Sequence, residues 1–422
     1  MRSNGIVLRV AMSIIPGLLY GQTDFSVAGR EVQVHGFASQ GFAYSNQNNF
    51  LTMNTSQGSF AMTDFGLNAT LQVTDKLRVG VQIYDRNVGQ LGEWHPLLDY
   101  AYADYRLKDW LGVRAGRVKT QLGLYTSTQD ADFLRTWALL PQSVYPTDLR
   151  SMTIAHDGID LYGAIPLRGA GSLSYTAYAG ARPDDKRSGL YYQFADVGWP
   201  PKGSSAWMAG ADVRWTTFVP GLTLGISANF QKGADKFYPS GTPAPQPVVP
   251  PPAGSQVYPL GGPGPSSGVY GPYRATDAYV DYTTGKLHLA GEYRRNFRFV
   301  DVRGMMWRYV RNLSDRAWFA SASYRAAKWL EVGAYESRYY VDHPAALDSP
   351  YFEPPTDSSY HIFDHAATLR FDLTHSWNLK LEGHFMDGSG DPFAPHGFYK
   401  RVNPEGVKPK TTMVVIRTGW TF

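Results

Sequence analysis

From Val34 to the C-terminus the chain alternates apolar and polar residues with a period of two, again and again, and it contains no apolar run long enough to span a bilayer as a helix. Leu67, Ala69, Leu71 and Val73 alternate with Asn68, Thr70 and Gln72. Beyond Thr74-Asp75, Leu77, Val79, Val81 and Ile83 alternate with Arg78, Gly80 and Gln82. The same pattern returns at Leu222 to Phe230, at Ala367 to Leu373 and at Val414 to Phe422. Successive side chains of a strand point to opposite faces, so this pattern makes extended strands with one apolar and one polar face. Any membrane crossing by such a chain is made by strands.

About sixteen such runs begin near Val34, Phe60, Leu77, Leu98, Gly112, Asp157, Ser172, Ala206, Leu222, Ala275, Lys286, Ala317, Leu330, His361, Trp377 and Thr411. Short connections near Asp75, Asp109, Gly169, Pro220, Gly285, Ala327 and His375 alternate with long ones. That asymmetry predicts an all-β fold: a transmembrane antiparallel β-barrel of about sixteen strands, with both termini on the short-turn side. Trp110, Phe218, Trp329, Trp377 and Trp420 all fall at that end. Rings gathered at one level form an interfacial girdle, which turns the apolar parity toward lipid.

Hydrophobic residues make up 43% of the chain, charged residues 18%, and there is no Cys, which excludes disulfides, thiolate chemistry and cysteine metal sites. No cofactor is expected. The net charge of +4 is spread without a basic block, so nucleic acid is not an expected partner. Arg2 and Arg9 precede the apolar stretch Val10 to Tyr20, which reads as a signal peptide over residues 1–21, with cleavage as late as 28. The barrel is then 22–422, destined for the cell outer membrane, with an external loop over 233–273 that holds eleven Pro. Arg294 to Arg316, with seven Arg, reads as a second, basic loop that attracts anions such as lipid phosphates.

The polar parity would line water: Asp212, Arg214, Glu292, Arg294, Arg370, Lys380, Glu382 and Arg417 carry both signs of charge. The loop from Lys119 to Met152 differs from the others, because Asp132 has the makings of a cap for a short helix running to Leu140, before Pro141. A loop with its own apolar surface is best buried in the lumen. A bulge at Gly116 would bring Arg117 and Lys119 together. The expected constriction therefore comprises Arg117, Lys119, Arg135 and Arg150, with Asp130, Asp132 and Asp148 as acidic counterparts, and a weak preference for anions.

With the segment Arg114-Ala115-Gly116-Arg117-Val118-Lys119 ahead of a long third loop, the loop asymmetry and a terminal Phe422, the chain resembles the Gram-negative outer-membrane porin superfamily. It is most similar to the sixteen-stranded porins, which include the phosphate-selective type. The resemblance implies a passive diffusion channel for small hydrophilic solutes and ions, set among outer-membrane lipids. It also implies eyelet bases at Arg117, Lys119 and Arg135, Phe422 as a signal to the barrel-assembly machinery, and a homotrimer. Ala101, Ala103, Ala115, Ala209 and Ala211 on the outward parity offer a flat face for such assembly. The mixed-sign wall departs from the basic ladder of phosphate-selective members. An outer-membrane adhesin or a purely structural barrel stays open, as does, less favoured, an outer-membrane enzyme, although no Gly-x-Ser-x-Gly elbow is present.

Overall fold

In the computed structural model the chain is described over residues 23–27, 30–189, 191–192, 201–237, 266–303, 308–342, 357–390 and 402–422. The expected signal peptide lies outside these residues, as does the heart of the Pro-rich loop. Strands β1 (Thr23–Val27), β2 (Arg30–Ser45), β3 (Ser59–Gln72), β4 (Leu77–Val88), β5 (Leu97–Lys108) and β6 (Leu111–Lys119) precede the third long connection. After it come β7 (Ala155–Pro166), β8 (Ser172–Arg182), β9 (Pro201–Thr216), β10 (Leu222–Phe237), β11 (Ser266–Thr284) and β12 (Leu287–Arg303). The series ends with β13 (Arg308–Ala327), β14 (Leu330–Val341), β15 (His361–Asp372), β16 (Trp377–Gly388) and β17 (Lys410–Thr421).

Strands β2 to β17 pair antiparallel in chain order, and β17 closes on β2 from Met413↔Ser45 to Thr421↔Phe37. Sixteen strands therefore form a closed barrel, which removes the open sheet edges across the band where each strand pairs on both sides. The short β1 pairs with the start of β2, Thr23↔Val34 to Val27↔Arg30, just beyond the end of β17. All the expected short turns are present.

Burial along each strand shows which way it faces. On β10, Leu224 and Ile226 are 37% and 63% exposed, whereas Ser227, Asn229 and Gln231 are buried. On β7 Ile159 and Leu161 are exposed and Asp160 is fully buried. Apolar residues thus look outward and polar ones inward, the reverse of a water-soluble sandwich and the pattern required by lipid. Inward glycines make room for rings on the neighbouring strand: a Cβ on Gly112 would lie 2.3 Å from Tyr162, and one on Gly225 2.1 Å from Tyr279.

Three local expectations are corrected. The helix from Asp132 to Leu140 is a single 3-10 turn, Asp132–Leu134, without a side-chain cap, after which Arg135 is extended. Loop backbone amides here bond to the barrel wall instead of to a helical ladder. Gly116 sits in an unbroken ladder on both sides (Tyr102↔Gly116↔Gly158) with φ of 125°, so its glycine serves backbone conformation and not a bulge. Finally, Arg294 to Arg316 is no loop: β12 reaches Arg303 and β13 starts at Arg308. These strands rise beyond the lipid-facing band, where an extended hairpin no longer needs apolar alternation to be stable.

Candidate pore constriction

The connection from β6 to β7 (residues 120–154) lies against the inner wall and is bonded to strands all around it. The Gly123 amide donates to Ser227 Oγ of β10 at 2.7 Å, and the Leu124 amide to Glu292 Oε2 of β12 at 2.9 Å. Ser143 and Ser337 of β14 share a hydroxyl contact of 2.6 Å, and Arg294 donates to the Val144 carbonyl at 2.6 Å. On the other side the Ala138 and Leu139 amides both donate to the Glu382 carboxylate of β16, each at 2.8 Å. Lys380 donates to the Asp132 carbonyl at 2.7 Å and Arg417 to the Ala138 carbonyl at 2.9 Å. Arg370 and Arg214 bond the Arg135 and Gly123 carbonyls. Most of the charged wall residues read from parity therefore anchor this loop, satisfying its backbone where no regular structure does so.

Its apolar side packs into a lumenal core. Trp137, Leu139, Leu140, Val144 and Tyr145 are buried with Phe319, Tyr335 and Tyr339 of the wall. Trp137 meets Tyr335 edge-on with ring centroids 5.2 Å apart. The first long loop joins them through Phe50, Leu51 and Met53. That contribution was missed from sequence, although the apolar pair Phe50-Leu51 inside a polar connection was its signal.

The expected constriction residues do not form one cluster. Lys119, Arg150 and Asp130 come together: Lys119 Nζ lies 2.6 Å from Asp99 and 2.5 Å from Asp130, and Arg150 pairs with both carboxylates. Burial pushes the Asp130 carboxyl up, but Arg150 and then Lys119 outweigh it and hold it well below the usual carboxylate range. Asp132 stands apart, 3.0 Å from Lys380 and 3.5 Å from Arg417, and is likewise held down. Asp148 is buried within the 3-10 helix Thr147–Met152.

Arg117 is a correction. It pairs with Asp157 through two bonds of 2.6 and 2.8 Å, on the face shared by Ala101, Ile159 and Leu161, which is the outside of the barrel. Without a bulge at Gly116 the strand keeps its parity, and Arg117 follows Ala115 outward.

Two cavities of about 60 and 50 Å³, of mixed polar and apolar lining, flank the loop and share Gln129, Tyr145 and Arg150. Their linings contain Arg86, Arg135, Arg150, Arg294, Arg298 and Arg417 against Asp64, Asp130 and Asp315. Among the described residues Arg135 donates only to backbone carbonyls, those of Thr128, Gln129 and Ala131, and burial lowers its proton affinity. Arg86 is 2% exposed and donates to the Thr147 carbonyl at 3.1 Å, with no carboxylate partner among the described residues. Sequence reasoning missed Arg86, yet it follows Gln82 and Tyr84 on the inward parity of β4.

No family model matches the chain, and no curated protein does so. Solved structures do. The chain is similar to outer-membrane-expressed OmpT of Vibrio cholerae at 11% identity and a TM-score of 0.54, covering 95% of this chain and 100% of that one. It is similar to an anion-selective porin from Comamonas acidovorans at 14% identity and a TM-score of 0.53, over 93% and 100% of the two chains. Salmonella typhi OmpF in complex with daunomycin matches at 11% identity and a TM-score of 0.52, over 95% and 100%. At these identities the likeness concerns architecture, and on architecture it agrees with the strand order and closure: the chain has the fold of the sixteen-stranded outer-membrane porins.

Proposed function

We propose that the protein is a passive diffusion channel of the cell outer membrane for small hydrophilic solutes, weakly preferring anions, with residues 120–154 as its constriction. The observation that carries this reading is the placement of that loop. It bonds to inward-parity residues of β10, β12, β14, β16 and β17 and leaves cavities beside it lined by six arginines and three aspartates. Fixed charge at a narrow, partly desolvated point acts at short range, so Arg86 and Arg135, which form no direct ion pair among the described residues, weigh more than the paired charges along the wall. The fold shared with an anion-selective porin supports the same sign.

Assembly as a homotrimer belongs to this reading. Ala103 pairs with Ala115 and Ala209 with Ala179 across neighbouring strands, giving a flat outward face on β5 to β9. One of the similar structures, OmpT of Vibrio cholerae, is described in a trimer form. The pairing of β1 with β2 supports cleavage of the leader near residue 21, since a cut at 28 would remove β1. Phe422, whose backbone exchanges bonds of 3.0 and 3.2 Å with Gly36, serves as the assembly signal. The test is liposome swelling with uncharged sugars of increasing size: a sharp upper size limit is expected, and impermeability to the smallest sugar would refute the channel.

A further inference from the structure

Strands β10 to β14 carry a row of basic residues on the lipid-facing parity: Lys232, Arg274, Arg295, Arg316 and Arg338, one per strand. Pairing places them side by side. Arg274 stands opposite Phe297, Arg295 opposite Arg316, and Arg316 opposite Tyr340, while Arg338 stands opposite Trp318 and Phe363. Adjacent strands lie about 5 Å apart, so the row spans roughly 20 Å of the circumference.

Three of these guanidinium groups lie over aromatic rings: Arg274 over Phe230 at 5.8 Å, Arg316 over Tyr340 at 5.8 Å, and Arg338 over Phe363 at 4.8 Å and Trp318 at 5.7 Å. Such stacking fixes the planar group with its donors free at the edge. Arg295 and Arg316 are 60% and 50% exposed. Carboxylates on this face are fewer. Asp342 meets Arg295 and Arg316 at 3.3 and 2.6 Å, and Glu336 meets Arg338 at 2.5 Å and also His365. Among the described residues, that leaves donors of the three arginines, and the whole charge of Lys232 and Arg274, without a carboxylate partner on this outward face.

Their height is informative. Arg295 and Arg338 lie eight residues above the first residues of their strands, Leu287 and Leu330. At about 3.3 Å per residue and a tilt near 40°, that is roughly 20 Å above the lower aromatic girdle, where a long basic side chain reaches up to the external edge of an apolar band about 25 Å tall. Charge at this level meets headgroups and not acyl chains. The opposite side differs, since Arg117 there is closed off by its bidentate partner Asp157.

We propose that this row binds the phosphate groups of lipids in the external leaflet, the arginines gripping phosphate oxygens while the rings seat the acyl–headgroup boundary. The proposal rests on the reading of the chain as an outer-membrane barrel. Guanidinium matches phosphate with two parallel donors, and a row of four arginines and one lysine fits a headgroup with more than one phosphate.

The test is native mass spectrometry of the detergent-purified full chain titrated with bisphosphorylated lipid A, and with the same lipid after both phosphates are removed. Intact lipid A should bind, the dephosphorylated lipid about tenfold or more weakly. The variant R274Q/R295Q/R316Q/R338Q should lose the difference, and the matching Arg→Lys variant should restore most of it. Equal binding of the two lipids by the unaltered chain would overturn the proposal, even if the variants failed to fold. Displacement by millimolar inorganic phosphate would overturn a lipid occupant in favour of a free-anion site. Conductance in bilayers of uncharged lipid should be the same for the fourfold Gln variant, which separates failure of this proposal from failure of the channel reading.

Discussion

Lys380 of β16, with no solvent exposure of its side chain, lies 3.0 Å from the Asp132 carboxylate of the third long loop. The same ammonium also donates to the Asp132 and Trp137 carbonyls at 2.7 and 3.0 Å. Removing one partner of a buried pair leaves the other charge uncompensated, and here Arg417 at 3.5 Å relieves part of that. Lys380→Met should therefore destabilise the barrel by roughly 3 kcal/mol. It should also make single-channel current noisier as the loop loosens. Denaturant midpoints and current noise in planar bilayers check both.

A pH profile follows from Asp130. A carboxyl held below its unfolded value of about 4 adds stability that is complete above that value and is lost only as pH falls through the lower folded one. Conductance and closing voltage should be flat from about pH 7 to pH 4 and change only in stronger acid. Asp130→Asn should bring the acid behaviour to neutral pH, as measured by closing voltage.

Selectivity separates the inner and outer arginines. Arg86→Ala with Arg135→Ala should move the reversal potential in a salt gradient toward cations. Arg117→Ala should leave it where it is, because that side chain faces outward beside Ile159 and Leu161. A large shift from Arg117→Ala would place it in the lumen after all.

Strand number, turn positions and facing were legible in the sequence because lipid imposes a strict period of two and because aromatic residues gather at the short-turn end. Leu224 and Ile226 against Ser227 and Asn229 state the facing without any structure. The upper ends of β11 and β13 were not legible: Ser266 and Arg308 lie nine residues before the expected starts at Ala275 and Ala317, where water removes the apolar signal. The apolar content of the third loop suggested a lumenal position, but its internal geometry was not legible. Its backbone is satisfied by Glu382, Glu292 and Lys380, each more than 140 residues away in sequence. Arg117 was misplaced for the opposite reason, that a local bulge was inferred where Gly116 only supplies an unusual φ.

Assembly has a steric test on the small-residue face. Ala103→Trp combined with Ala179→Trp should convert the oligomer to monomer in mild detergent without loss of barrel circular dichroism. These residues sit on the row Ala103↔Ala115↔Ile159↔Ala179↔Ala209, so bulk there meets a packed neighbour or only lipid. Light scattering or native mass measurement distinguishes the two.

The central claim, that residues 120–154 set the width and sign of an open pore, is tested most directly by single-channel recording across a planar bilayer under a salt gradient, comparing the intact chain with one lacking Thr128 to Leu139. The intact chain should show steady conductance with a weak anion preference, and the deleted chain a larger conductance with reduced preference. Unchanged conductance and unchanged reversal potential in the deleted chain would contradict it.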